Sequence, residues 1–310
     1  MATEPTVAAL PSQPVRWLVA TRPGFLSAAV VPVFIGLAAA AQVGVLDWGM
    51  AVLTLVGAVV AHAGANVLND VHDHRTGADS RNVDRVFPYT GGSRVIQNAV
   101  LSERTMSRLG WSLLLSAALI GLLLVSRAGD ALLVVGMLGL LFGWGYSAPP
   151  LRLAYRGAGE LAVGASFGVL IPVGASCVQE GRLDPTAAIA GLPYAFLVML
   201  ILVVNQFPDS RADAASGKHN WVVRLGTSRG RWLYVALLVA ALTALAAAIH
   251  GGWLPMLSVI AFAPTLLHLV ALKILWKHHD QAAALEPAIE ATLRGSLLTG
   301  VGISVGLYFG

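Results

Sequence analysis

The chain has 310 residues, of which 56% are apolar and only 12% charged, with a formal net charge of +4. A soluble domain carries about 25% charged residues, so this composition excludes an ordinary globular protein, and the mean hydropathy of +0.73 points to a polytopic membrane protein. The single cysteine, Cys177, excludes an intrachain disulfide and a Cys-rich metal site, and it reads as a buried, inert thiol.

In chain order, nine apolar runs read as membrane-spanning helices: 24–42, 49–68, 109–126, 131–146, 161–178, 186–204, 232–249, 253–272 and 288–309. Several reach or approach the ~20 residues that cover the hydrocarbon. The run 131–146 is short, and 288–309 carries Glu290 and Arg294 four residues apart, where they can pair on one face. Of the 20 Lys and Arg residues, only Arg127 and Arg182 follow the third and fifth runs; all others lie in the N-terminal tail, in alternate loops or at the helix ends facing them. The positive-inside rule assigns that side to the cytoplasm. The expected fold class is therefore all-α: about nine transmembrane helices around a central cavity open to the cytoplasmic side. Residues 1–310 form a single multi-pass domain of the cell inner (cytoplasmic) membrane, with 1–23 as an N-terminal cytoplasmic tail. The basic loops face anionic lipid, and no nucleic acid is implied.

Two polar clusters interrupt this pattern. Asn66, Asn69, Asp70 and Asp73 end the second run, and Asn205, Asp209 and Asp213 end the sixth. Carboxylates near membrane depth are costly and mark function by default. Asn66, Asp70 and Asp73 share one helix face, as do Asn205, Asp209 and Asp213 if helix continues past Pro208. Each cluster follows a pair of helices, which suggests a diverged repeat of helices 1–4 and 5–8. Two facing rows of oxygen ligands with few carboxylates suit Mg²⁺, which is held by one or two carboxylates together with substrate phosphate oxygens. Phosphate calls for cations, and Arg75, Arg152 and Lys218 lie in the adjoining loops, with Tyr146 opening the segment that ends at Arg152. His62 lies one turn before Asn66 and reads first as a structural histidine, and Asp79 is a candidate general base against a reading as a solvated loop carboxylate. His72, His74, His219, His278 and His279 read as solvent-facing.

Asn69-Asp70-x-x-Asp73, Tyr146-Ser147-x-Pro149-x-x-Arg152 and Asn205-x-x-x-Asp209-x-x-x-Asp213, with Thr21-Arg22-Pro23, resemble the UbiA superfamily of intramembrane prenyltransferases over nearly the whole chain. The resemblance implies Mg²⁺, a prenyl diphosphate donor and a lipophilic, usually aromatic acceptor. It assigns metal binding to Asp70, Asp73, Asp209 and Asp213. Together with the loop residues above, the expected diphosphate set is Asn66, Asn69, Arg75, Tyr146, Arg152, Asn205 and Lys218, and the expected catalytic set is the four aspartates with Arg152. Gly77 with Asp79, the stretch Tyr89–Gln97 and Tyr155-Arg156-Gly157-x-Gly159-Glu160 are similar to the 1,4-dihydroxy-2-naphthoate (menaquinone-type) branch, whereas Pro208 before Asp209 departs from the usual second motif. A 4-hydroxybenzoate-like acceptor remains the alternative. From another class, a cation-coupled secondary transporter would also use repeats and intramembrane carboxylates, although its site belongs near the midplane.

Overall fold

The computed structural model describes residues 3–310, and every regular element among them is helical. A short helix α1 (Gln13–Ala20) leads through Arg22, in left-handed conformation with φ 57°, into α2 (Pro23–Ala41). Then follow α3 (Trp48–Thr76), one-turn α4 (Ala78–Arg81), α5 (Glu103–Ala128) and α6 (Ala131–Gly145). The fifth apolar run is one rod made of α7 (Gly159–Ala165), a π turn over Ser166–Leu170 and α8 (Ile171–Glu180). The remaining elements are α9 (Pro185–Ala215), α10 (Trp221–Leu225), α11 (Thr227–His250), a 3₁₀ stretch Met256–Thr265 running into α12 (Leu266–His278), and α13 (Glu286–Phe309).

All nine apolar runs are helical, yet only 7 helices are long and apolar enough to cross a membrane. The apolar α6 has 15 residues, and α13 falls outside that group. Length and composition alone thus support seven of the nine expected crossings. Ser102 is the N-cap of α5, its Oγ accepting from Thr105 N at 3.2 Å.

Two helices overrun their expected ends. α3 continues to Thr76 and has 29 residues; α9 continues to Ala215 and has 31. At ~1.5 Å per residue these are about 45 Å long, against ~30 Å of hydrocarbon, so their last turns stand clear of it. Gly77, with φ 78°, terminates α3 as its C-cap. α9 runs straight through Pro193 and Pro208, because a missing N–H is tolerated where packed neighbours hold the helix. Asp47 and Asp184 cap the starts of α3 and α9, accepting from Met50 N and Thr186 N at 3.0 Å each.

α9 is the hub. Its Tyr194, Leu197, Leu200 and Val204 bury against Val31 and Ile35 of α2, Tyr234 and Leu245 of α11, and Ile289 and Ile303 of α13. The π turn lies backbone to backbone on α9: a Cβ on Gly191 would collide with the Gly168 carbonyl, and one on Gly168 with Ala195. Small residues at such crossings replace the hydrophobic drive that lipid removes. On the other flank, Gly64 of α3 accepts Leu114 of α5, and Gly110 of α5 accepts Leu68 of α3. Leu115, Leu119, Leu122 and Leu123 of α5 remain exposed, as expected of a surface that meets lipid.

The segment between α4 and α5 folds over the polar ends of α3 and α9, and the N-terminal tail straps it down. Glu4 accepts from Arg85 Nε at 2.6 Å and from Asn98 Nδ2 at 3.0 Å, and the Pro5 carbonyl takes Asn98 Nδ2 at 3.0 Å.

Candidate active site

Beneath that cover lies a cavity of about 280 Å³. Its upper wall is polar, with Asn66, Asn69 and Asp73 from α3 facing Asn205, Asp209 and Asp213 from α9. Its lower wall is apolar, lined by Phe142 of α6, Phe167 and Leu170 of the π turn, and Val198, Ile201 and Leu202 of α9. Helical periodicity brings the rows together: α9 does continue through Pro208, so its three polar residues share a face.

Each row is held by groups from elsewhere in the chain. Asp73 accepts from Tyr155 OH at 2.7 Å, Lys218 Nζ at 3.0 Å and Asn69 Nδ2 at 3.2 Å. Lys218 also lies 3.7 Å from Asp213 Oδ1, while Asn220 Nδ2 donates to Asp213 Oδ2 at 2.7 Å. One ammonium thus bridges the outer carboxylates of both rows. Asp209 accepts from Asn82 Nδ2 at 2.5 Å. Asp70 is buried under the cover, where Ser93 N donates to its Oδ2 at 2.9 Å and Arg22 approaches its Oδ1 at 3.9 Å. The cover can come this close because Gly92, with φ 75°, lacks a Cβ that would strike Asp79 Oδ2.

Electrostatics outside the spanning helices follow from this crowding. Burial alone would lower the Lys218 ammonium, but the Asp213 and Asp73 carboxylates outweigh it and hold its pKa well above the ordinary lysine range. Burial, reinforced by the charges of Asp73 and Asp70, pushes Asp79 well above the usual carboxylate range. Asp79 lines the cavity and is buried, so it is not a solvated loop carboxylate.

Among the described residues, no three His, Cys, Asp or Glu side chains converge as a self-sufficient metal site. The donor set nevertheless fits Mg²⁺: all are oxygens, and the buried Asp70 Oδ1 and Asn205 Oδ1 have no hydrogen-bond partner. The carboxylates would be completed by phosphate oxygens, the usual arrangement for this ion.

Of the residues picked out by sequence, Asn66, Asn69, Asp73, Tyr146, Asn205, Asp209, Asp213 and Lys218 line the cavity, and Asp70 lies just behind it. Two cations do not come together with them. Arg75 pairs with Glu103 at 2.7 Å on the exposed surface. Arg152 stacks on the Tyr155 ring, 4.3 Å from its centroid, and so reaches Asp73 only through that tyrosine. Besides Lys218, the cation that enters the cavity is Arg22, whose NH2 also donates to the Tyr89 carbonyl at 3.1 Å. His62 lines the cavity edge-on to Phe167, with ring centroids 4.9 Å apart. His72 and His74 are half-buried, not solvent-facing as expected, because α3 carries them under neighbouring chain. No spacing rule singles out Asn82, which reaches Asp209 across the fold. Tyr155 and Asn220 carried only a faint signal, the first inside a branch motif and the second two residues after Lys218.

The sequence matches the UbiA prenyltransferase family over residues 29–288. It is 32% identical over 226 residues to a 1,4-dihydroxy-2-naphthoate octaprenyltransferase of Mycobacterium tuberculosis, covering 73% of this chain and 75% of that one. To the protein of the same description in Escherichia coli it is 29% identical over 307 residues, 94% of each chain. Among solved structures, a UbiA homolog from Archaeoglobus fulgidus bound to GPP and Mg²⁺ superposes with a TM-score of 0.66 over 93% of this chain and 99% of that one, at 16% identity.

Proposed function

The chain belongs to the UbiA prenyltransferase family, and from that premise we propose that it transfers a polyprenyl group from a prenyl diphosphate to 1,4-dihydroxy-2-naphthoate, a step of menaquinone biosynthesis, with Mg²⁺ as cofactor. It is a prenyltransferase and a multi-pass membrane protein. The observation that carries the finer reading is the juxtaposition of two carboxylate rows, bridged by Lys218, above an apolar cavity. The naphthoate-prenylating relatives support the choice of acceptor. Nothing in the comparisons supports the transporter alternative, and the polar end of the cavity suits an anionic diphosphate held by Lys218 and Arg22. The basic loops favour a cytoplasmic N-terminus in the inner membrane.

The residues divide the work by position. Asp70, Asp73, Asp209 and Asp213, with Asn66 and Asn205, would hold the metal–diphosphate complex. Bound Mg²⁺ supplies neutralisation of charge building on the departing diphosphate. Lys218 and Arg22 add fixed positive charge at the same place, which stabilises the leaving group without reorganisation. The allylic carbon–oxygen bond then weakens, and an electron-rich ring carbon of the acceptor forms the new carbon–carbon bond as the diphosphate departs. Phe142, Phe167 and Leu170 exclude water that would quench the electrophile. On this reading the acceptor loses its carboxylate as carbon dioxide when the ring regains aromaticity.

The test is incorporation of labelled prenyl diphosphate by purified protein, with dihydroxynaphthoate and 4-hydroxybenzoate compared, with and without Mg²⁺. We expect metal-dependent transfer to the naphthoate, reduced on the order of 10²–10³-fold in Asp70→Ala and in Asp209→Ala. Transfer that ignores chelation, or that prefers 4-hydroxybenzoate, overturns the corresponding part of the reading.

A further inference from the structure

One carboxylate in the cavity wall belongs to neither aspartate row. Glu160, in the first turn of α7, is 0% exposed yet lines the cavity. Its Oε1 accepts two hydrogen bonds, from Gln206 Nε2 at 2.9 Å and from Trp221 N at 2.8 Å. Both partners are uncharged. Its Oε2 is buried with no partner at all, and so is Oε1 of Gln206. The Gln206 amide cannot turn to relieve this, because its nitrogen is committed to Glu160.

Two buried acceptors on residues of the cavity wall therefore have no protein donor of their own. An unpartnered buried carboxylate oxygen is costly, and the group that satisfies it must arrive with the occupant. A prenyl chain has no donor and a diphosphate is itself anionic, so neither suits Glu160. A ring hydroxyl does. Position agrees with this: Gln206 directly follows Asn205 and lies one turn before Asp209, while Ala162, Val163 and Phe167 continue the wall downwards as apolar surface. The pair sits where polar and apolar walls meet, beside the place the diphosphate would occupy, which is where a ring must lie to meet the allylic carbon.

We propose that Glu160 Oε2 accepts the hydrogen bond of one ring hydroxyl on the aromatic acceptor, with Gln206 Nε2 holding the other carboxylate oxygen in place, so that Glu160 selects hydroxyarenes and fixes ring orientation. The inference rests on the prenyltransferase reading. It adds a chemical reason for the choice of acceptor. As the ring carbon attacks, electron density is drawn from the ring oxygen and its O–H becomes a stronger donor, so the contact tightens toward the transition state.

The test uses the full-length protein and naphthoates lacking each ring hydroxyl in turn, as competitors of the acceptor. In the wild type, one of the two deoxy compounds should bind about ten-fold or more weaker than the parent diol. Glu160→Gln keeps an oxygen for Gln206 and Trp221 but turns an NH₂ toward the hydroxyl. It should bring parent and deoxy compound within about three-fold of each other, raise the acceptor KM about ten-fold, and leave the prenyl diphosphate KM within about two-fold. Discrimination retained by Glu160→Gln, or both KM values rising together as a purely structural role requires, overturns the proposal. If that variant does not fold, the wild-type series decides alone, and equal binding of both deoxy compounds refutes it. A wild type that transfers nothing to dihydroxynaphthoate instead sinks the acceptor assignment, and the same hydroxyl-deletion series on the arene it does accept still tests Glu160.

Discussion

The α3 row and the α9 row have similar spacing but are not dressed alike. On α3, Asp73 is gripped by Asn69, Tyr155 and Lys218, and Asp70 by the Ser93 amide. On α9, Asp213 has Asn220 and a share of Lys218, Asp209 has Asn82, and Asn205 Oδ1 has nothing. The braces also cross over. Lys218, from the loop after α9, holds the carboxylate of α3, and Asn82, at the end of α4 in the segment after α3, holds the carboxylate of α9. Each row is oriented in part by the other row's loop, so both halves of the chain build the site jointly.

Breaking the shared brace should do the most harm. Lys218→Met leaves Asp73 and Asp213 close together without their common cation. Turnover should fall about a hundred-fold, and stability should drop by roughly 3 kcal/mol, as when one partner of a buried ion pair is removed. Activity assays and thermal unfolding in detergent measure the two effects. A variant that keeps both near wild-type values would show that the rows do not depend on one another through this residue. Asn82→Ala removes the reciprocal brace but no charge. An expected rise of about ten-fold in the prenyl diphosphate KM follows from one lost hydrogen bond to a carboxylate, with the fold intact by circular dichroism. An unchanged KM would mean that Asp209 is oriented by its helix alone. Smallest of all, Arg75→Ala should alter turnover by less than about two-fold, because its exposed pairing with Glu103 contributes little. A large loss there would restore Arg75 to the diphosphate site that its side chain now faces away from.

The sequence made the helices and the clusters legible for a physical reason. Burial of apolar side chains and the expense of carboxylates near lipid are written residue by residue, so the nine apolar runs and the rows ending at Asp73 and Asp213 could be read directly. The extent of α3 and α9 was less visible, since their last turns are polar and lie beyond the apolar runs although they complete two long helices. Choosing among the cations was harder still. Arg75, Arg152, Arg22 and Lys218 are all basic residues near the right helix ends, and nothing local separates them.

Composition, charge asymmetry and helical period thus determined by themselves that this is an all-α membrane protein with two rows of Asn and Asp side chains, and the motifs around them carried the family resemblance. Only the tertiary structure decided that Lys218 and Arg22 enter the cavity while Arg75 and Arg152 stay outside, that Asn82 and Tyr155 hold the aspartates, and that Glu160 keeps an unpartnered oxygen in the cavity wall. Those choices depend on contacts between residues as far apart in sequence as Asn82 and Asp209. Such a contact has no period and no local propensity; it exists only once the helices have packed.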